Sequence, residues 1–126
     1  MEILKLSAAG EEAKARVEEA EEAFTPSIVL AELARKYLRE GVDPGALRTW
    51  LRGISEATEV YPIDIELSIM SAESAAELSA KARREGIGGP GLGDALVLAT
   101  ARVVNARVVT GDPHFRGLEE TVWLGV

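Results

Sequence analysis

Three carboxylates of this chain stand where an α/β protein would bring acidic groups together. Asp94 follows a glycine-rich run and precedes the apolar segment 95–104, and Asp112 follows the β-branched run 108–110. Glu32 is the lone carboxylate in the first turns of an apolar, helix-like segment. In an open parallel sheet, helix starts and strand exits collect along one edge. Carboxylate oxygens suit Mg²⁺ or Mn²⁺, and such ions activate water for attack on a phosphate.

Each acid also has a purely structural explanation. A carboxylate at a helix start accepts a backbone hydrogen bond and interacts favourably with the helix dipole, which would account for Asp94. Asp112 lies in a Gly-Asp-Pro sequence, which is ordinary turn chemistry. Glu32 is spaced to pair with Arg35 or Lys36 on a helix surface. The expected common edge is what favours a metal site over three separate structural roles.

Composition restricts the class of protein. The 126 residues correspond to one domain, 1–126, that is long enough to bury a core. The net charge of −7 argues against binding nucleic acid through the overall field, although it leaves room for a local site in which bound cations invert the potential. The absence of cysteine excludes disulfides and thiolate catalysis. No stretch has the length of a membrane span or the pattern of a signal peptide, so we expect a cytoplasmic protein.

Short apolar strands alternate with longer helical segments, which predicts an α/β domain with a mostly parallel sheet. A buried helical stripe is predicted at Leu47, Trp50, Leu51 and Ile54. Strands are expected at Phe24, 59–63, 108–110 and 121–124, and helices at 11–23, 27–39, 46–57, 64–84 and 95–104.

The segment from Glu85 to Gly93 is a glycine-rich loop. Its string Gly86-x-Gly88-x-x-Gly91 matches a dinucleotide-binding fingerprint. That motif must follow a strand, whereas this one follows a predicted helix. A small α/β nucleotide-binding protein therefore stays open only as a less favoured alternative.

Three blocks of the chain, 26–33, 93–101 and 109–115, resemble the successive signature blocks of PIN domains, in particular those of VapC-type toxins. The resemblance covers nearly the whole chain. It implies a three-layer α/β/α sandwich with a central parallel sheet and an endoribonuclease activity that depends on Mg²⁺ or Mn²⁺. It also implies a homodimer that is inhibited by a cognate antitoxin protein.

The resemblance assigns roles by motif position. Glu32, Asp94 and Asp112 would be the metal-binding and catalytic acids, and Thr110 would help to shape the site through its hydroxyl. His114 is expected to pack or cap locally in its turn. Candidate contacts to RNA phosphates are Arg35, Lys36, Arg102 and Arg116.

The start of the chain departs from this family. PIN domains begin with a hydrophobic strand that ends in an Asp, the first metal ligand, and no such strand with an Asp precedes Glu32. Met1 to Leu6 resembles the tail of the helix that follows this first strand in PIN domains. A misassigned start or a truncated chain would leave such a tail. Alternatively, Met1 to Leu6 is itself a strand, with Glu2 as a poor substitute for the acid. The second functional hypothesis is therefore a catalytically inert PIN-like domain that binds RNA or protein.

Overall fold

The structure is a computed structural model that describes residues 2–4 and 22–124. In this part of the chain, five strands alternate with four α-helices and one short 3₁₀ turn, Pro113–Phe115. The strands are β1 (Glu2–Leu4), β2 (Ala23–Pro26), β3 (Glu59–Tyr61), β4 (Arg107–Thr110) and β5 (Thr121–Trp123). The helices are α1 (Ser27–Arg39), α2 (Pro44–Ala57), α3 (Ile65–Glu85) and α4 (Leu92–Val104). Residues 11–21 of the helix predicted at 11–23 lie outside the described residues, and its predicted last residue, Ala23, instead begins β2.

All strands belong to one parallel sheet in the order β3-β2-β1-β4-β5. Strand β1 is central, and its Ile3 is in register with Phe24 of β2 and Val108 of β4. The predicted three-layer α/β/α architecture with a parallel sheet is confirmed. Strand β3 lies at one edge, as the proline beside it predicted.

The central strand corrects the interpretation of the N-terminus. Within Met1 to Leu6, the described residues Glu2–Leu4 are not the tail of a helix, because they pair with strands on both sides within the sheet. The expectation that the first strand is missing is therefore wrong. Glu2 is in register with Ala23 and Arg107, which are the first residues of their strands. It lies at the opposite end of the sheet from Asp112, so it cannot substitute for the missing acid.

The helix boundaries follow local chemistry. The side chain of Asp43 accepts a hydrogen bond from the Ala46 amide at 3.0 Å and caps α2, and Asp64 caps α3 in the same way. Helices α3 and α4 end at residues in the left-handed conformation, Gly86 (φ 68°) and Asn105 (φ 54°). Helix α4 begins at Leu92, earlier than predicted, and this shortens the glycine-rich loop.

The core is built around α4. Residues 95–101 are each at most 4% exposed because α4 packs against the sheet and against α3. Phe115, in the 3₁₀ turn, is fully buried in the same core. Trp50 is 41% exposed and packs edge-on against Tyr37, so the prediction that it lies in the core is wrong. None of the helices in the described ranges is long and apolar enough to cross a bilayer.

The strand order reverses at β1. The chain passes from β1 to β2 and β3 in one direction, and then returns through α3 and α4 to β4 on the other side of β1. Ligands of open α/β sheets bind at the carboxyl ends of the strands beside such a switch point. Strand β2 leads into α1, which carries Glu32, and β4 leads to Asp112. The topology thus places two of the predicted acids at this edge.

Candidate metal site

Two of the predicted acids and a histidine form a tight group at this edge. Asp94, Asp112 and His114 each offer a ligand atom within 4.8 Å of the others. The two carboxylate side chains are 13% and 23% exposed, and the His114 side chain is 22% exposed. The group is therefore shielded but still reached by solvent.

Asp112 is held by the turn that follows β4. The buried Thr110 hydroxyl accepts a hydrogen bond from the Asp112 amide at 3.0 Å. Asp112 Oδ1 in turn accepts a hydrogen bond from the His114 amide at 2.9 Å. These bonds close the turn and fix the direction in which the Asp112 carboxylate leaves the backbone. Thr110 thus lies where it can shape the group through its hydroxyl.

Asp94 occupies the first turn of α4. Its Oδ2 accepts a hydrogen bond from the Gly91 amide at 3.2 Å, so the structural explanation for this acid applies as well. The unpaired amides at the helix start stabilise the ionised carboxylate. Its two oxygens are of the kind that bind a hard divalent cation.

Glu32 approaches the group from α1. A β-carbon on Gly93 would lie 2.6 Å from the Glu32 Cδ, so the carboxyl group rests against the backbone of Gly93, next to Asp94. A side chain at position 93 would collide with the Glu32 carboxyl group unless Glu32 moved away. Glu32 does not belong to the tight group found among the described residues, so it borders the site rather than completing it.

His114 links this group to the glycine-rich loop. Its Nδ1 lies 2.9 Å from Asp112 Oδ1, and its Nε2 lies 2.7 Å from the Gly88 carbonyl oxygen. Burial lowers the pKa of His114, but the Gly88 carbonyl and the Asp112 carboxylate favour the protonated ring. The net result is a pKa above the ordinary 6.5. Both neighbouring oxygens are hydrogen-bond acceptors, so the geometry suits a ring with two N–H donors.

The donor set fits a hard divalent cation. Carboxylate oxygens from separate elements are the ligands that Mg²⁺ and Mn²⁺ prefer. Both ring nitrogens of His114 already face oxygen acceptors, Asp112 Oδ1 and the Gly88 carbonyl oxygen. His114 is therefore placed to orient Asp112, in the way that outer hydrogen-bond partners orient metal ligands.

The candidate phosphate-binding cations occupy different environments. Arg35 and Lys36 line a cleft on α1 that also includes Glu32. Arg102 donates to Glu77 at 2.7 and 3.0 Å and to Glu120 at 3.3 Å, while Arg116 lies over the ring of Trp123. Arg35 and Lys36 therefore lie next to Glu32 at the acidic edge, whereas Arg102 is engaged in structural ion pairs.

Two contacts were missed by the sequence reasoning. His114 bonds to Asp112 within its turn, as expected, but its contact with the Gly88 carbonyl was not foreseen, and neither was the contact between Glu32 and Gly93. The spacing Asp112-x-His114 directly after a strand could have indicated that His114 pairs with Asp112, but not that it reaches Gly88. The contact between Glu32 and Gly93 joins residues 61 positions apart, and no local pattern predicts it. The loop 86–91 follows α3, so the dinucleotide motif lacks the strand it requires.

The sequence and the fold are similar to those of known proteins. The model of one family, the PIN domain, matches residues 1–120. A toxin–antitoxin complex from Klebsiella pneumoniae has a TM-score of 0.62 at 20% identity, covering 97% of this chain and 96% of that one. VapBC2 from Rickettsia felis, bound to a DNA fragment from its promoter, has a TM-score of 0.64 at 18% identity, covering 99% and 98%. No curated protein matches in sequence. The chain belongs to the PIN domain family.

Proposed function

We propose that this chain is a Mg²⁺- or Mn²⁺-dependent endoribonuclease and the toxin of a VapBC-like toxin–antitoxin pair. The observation that carries the proposal is the convergence of Asp94 and Asp112, from a helix start and a strand exit, within 4.8 Å of each other beside His114. Membership of the PIN domain family supports it. The fold is also similar to that of two structures described as a toxin–antitoxin complex and as VapBC2.

Asp94 and Asp112 would hold the cation, with Glu32 supplying a further oxygen from α1. A bound Mg²⁺ or Mn²⁺ activates water and stabilises the charge that develops on a scissile phosphate. Asp112 is oriented by Thr110 and His114, so its carboxylate is preorganised. With a metal-activated water as the nucleophile, the protein would need no nucleophile of its own and would contribute positioning and electrostatics.

The proposed partners follow from the same family relationship. The two similar structures are described as a toxin–antitoxin complex and as VapBC2. We assign this chain an antitoxin protein as its inhibitor, a homodimer as its assembly and the cytoplasm as its location. RNA is the proposed substrate.

A catalytically inert PIN domain is the alternative function, and one observation favours it. Strand β1 ends at Leu4, and the next residue in the sequence is Lys5 rather than an acid. The end of β1 lies between β2 and β4, at the edge where the candidate site lies. A site without an acid at this strand end would bind a cation more weakly.

The metal assignment is tested by calorimetric titration with Mn²⁺. Asp94→Asn and Asp112→Asn should each lower the affinity at least tenfold, because each removes a charged oxygen ligand. Asp43→Asn is the matched control, since Asn also caps α2 well and Asp43 lies outside the candidate site. Unchanged Mn²⁺ binding in both site variants would refute the assignment.

The choice between an active and an inert domain is tested with Lys5→Asp. This substitution supplies an acid directly after β1, so it should strengthen Mn²⁺ binding and raise the cleavage rate of single-stranded RNA. If the unmodified chain already cleaves RNA with Mg²⁺, and EDTA stops the cleavage, the inert alternative fails. If neither chain cleaves RNA while both bind it, the inert alternative stands.

A further inference from the structure

A cleft of 280 Å³ runs along one face of α1, beginning at the acid that borders the candidate metal site. The cleft contains three cations on two successive turns and an acid at each end. Its lining residues are Glu32, Arg35, Lys36, Arg39 and Glu40.

The spacing of these residues puts them on one helix face. Relative to Glu32, the three cations stand at i+3, i+4 and i+7, which are the positions of surface neighbours on an α-helix. At 1.5 Å of rise per residue, Arg35 lies about 4.5 Å and Arg39 about 10 Å further along the axis than Glu32. The cations therefore form a track that leads away from the metal site.

The cations of this track are exposed and available. Within residues 22–124, neither Arg35 nor Arg39 is engaged in an ion pair, and Lys36 lies 5.1 Å from the centre of the Tyr37 ring. Arg102, by contrast, is held by two acids. In a chain with a net charge of −7, these three exposed cations are a local source of positive charge next to the candidate metal site.

We propose that Arg35, Lys36 and Arg39 bind the backbone phosphates that lie on one side of the scissile phosphate. This inference rests on the proposed function and assigns the direction in which the RNA leaves the metal site, along α1 towards Glu40. Arginine binds phosphate oxygens through paired N–H donors, which suits a track that positions a strand without reading its bases. Glu40, at the far end, repels further phosphates and limits the length of the track.

The experiment measures binding of a fluorescent single-stranded RNA by anisotropy at several salt concentrations, with EDTA present so that no cleavage occurs. For single strands, the slope of log affinity against log salt falls by about 0.7 for each phosphate contact that is lost. We expect Arg39→Gln to reduce the slope by about 0.7 and Arg35→Gln with Arg39→Gln by about 1.4. The loss should be equal for oligoadenylate and oligouridylate.

Arg52→Gln is the matched control, because Arg52 is an exposed arginine of α2 that does not line the cleft. An unchanged slope in the double variant, or an equal loss in the control, overturns the inference. Displacement of the RNA by oligoglutamate of equal charge also overturns it, since the cleft would then accept an acidic protein segment equally well.

Cleavage is measured separately with Mg²⁺, so the two proposals fail in different ways. A chain that binds RNA through the cleft but does not cleave it contradicts only the proposed activity. A chain that cleaves RNA with an unchanged salt slope in the variants contradicts only the assignment of the cleft.

Discussion

Replacing Gly93 with alanine should separate the stability of the fold from the affinity of the candidate metal site. The new β-carbon would lie 2.6 Å from the Glu32 Cδ. Two carbon atoms are at their optimal separation at about 3.5–4.0 Å. The carboxyl group of Glu32 must therefore move by about 1 Å, whereas the backbone of Gly93 meets no strain because its φ lies outside the left-handed region.

A displacement of about 1 Å exceeds the roughly 0.2 Å that metal–ligand distances tolerate. We expect the affinity for Mn²⁺, measured by calorimetry, to fall by about 10–100-fold, the loss that follows when a supporting group of a metal site is removed. Glu32 is an exposed, flexible side chain, so it can move without disturbing the core. The free energy of unfolding, measured with urea, should stay the same or rise by up to about 1 kcal/mol because alanine is the better helix former.

Gly53→Ala is the matched control. Gly53 lies within α2, and a β-carbon there would meet no atom within 4 Å. This variant should gain about 0.5–1 kcal/mol of stability and bind Mn²⁺ like the unmodified chain. If Gly93→Ala also binds Mn²⁺ with unchanged affinity, Glu32 does not contribute to the site and the reasoning is refuted.

His114 is the single histidine of the chain, so its NMR titration without added metal should give a pKa above 6.5. Its stabilising contribution is then complete below pH 6.5 and is lost as the pH rises through the raised pKa. Asp112→Asn should lower that pKa, and an unchanged value would contradict the pairing. Leu98→Ala should cost about 2–5 kcal/mol in urea unfolding, because Leu98 is fully buried in the core. Arg102→Gln should cost about 1 kcal/mol near neutral pH. The hydrogen bond from Arg102 lowers the pKa of Glu77, so the pair stabilises fully above pH 4.5 and the variant should approach the unmodified chain in acid.

Much of the fold could be predicted from local patterns. The period of the apolar residues and the capping residues located α1, α2 and α3 to within a few residues, because these signals act over one or two turns. Trp50 was wrongly placed in the core, since its position in the helix stripe does not reveal how far the neighbouring helix reaches. Strand β1 was equally ambiguous, because a run of three paired residues carries no measurable period.

The candidate site was likewise only partly predictable from the sequence. The sequence pattern selected Glu32, Asp94 and Asp112 as acids near helix starts and a strand exit, and the family resemblance assigned the same three as metal ligands. Neither revealed that His114 bonds to the Gly88 carbonyl, which is 26 residues away. Such a contact depends on how the loop after α3 packs over the end of β4, and that is a property of the assembled chain.

The arrangement of Glu32, Asp94 and Asp112 thus depends on both local sequence and tertiary structure. Their chemistry follows from the local sequence, because residue type sets charge and ligand preference and the local pattern sets the element on which each acid lies. Which acids meet depends on tertiary contacts. The reversal of strand order at β1 brings the exit of β4 beside the start of α1, and the absence of a side chain at Gly93 lets Glu32 reach the edge of the site. These are contacts between distant segments, and they exist only once the sheet has formed.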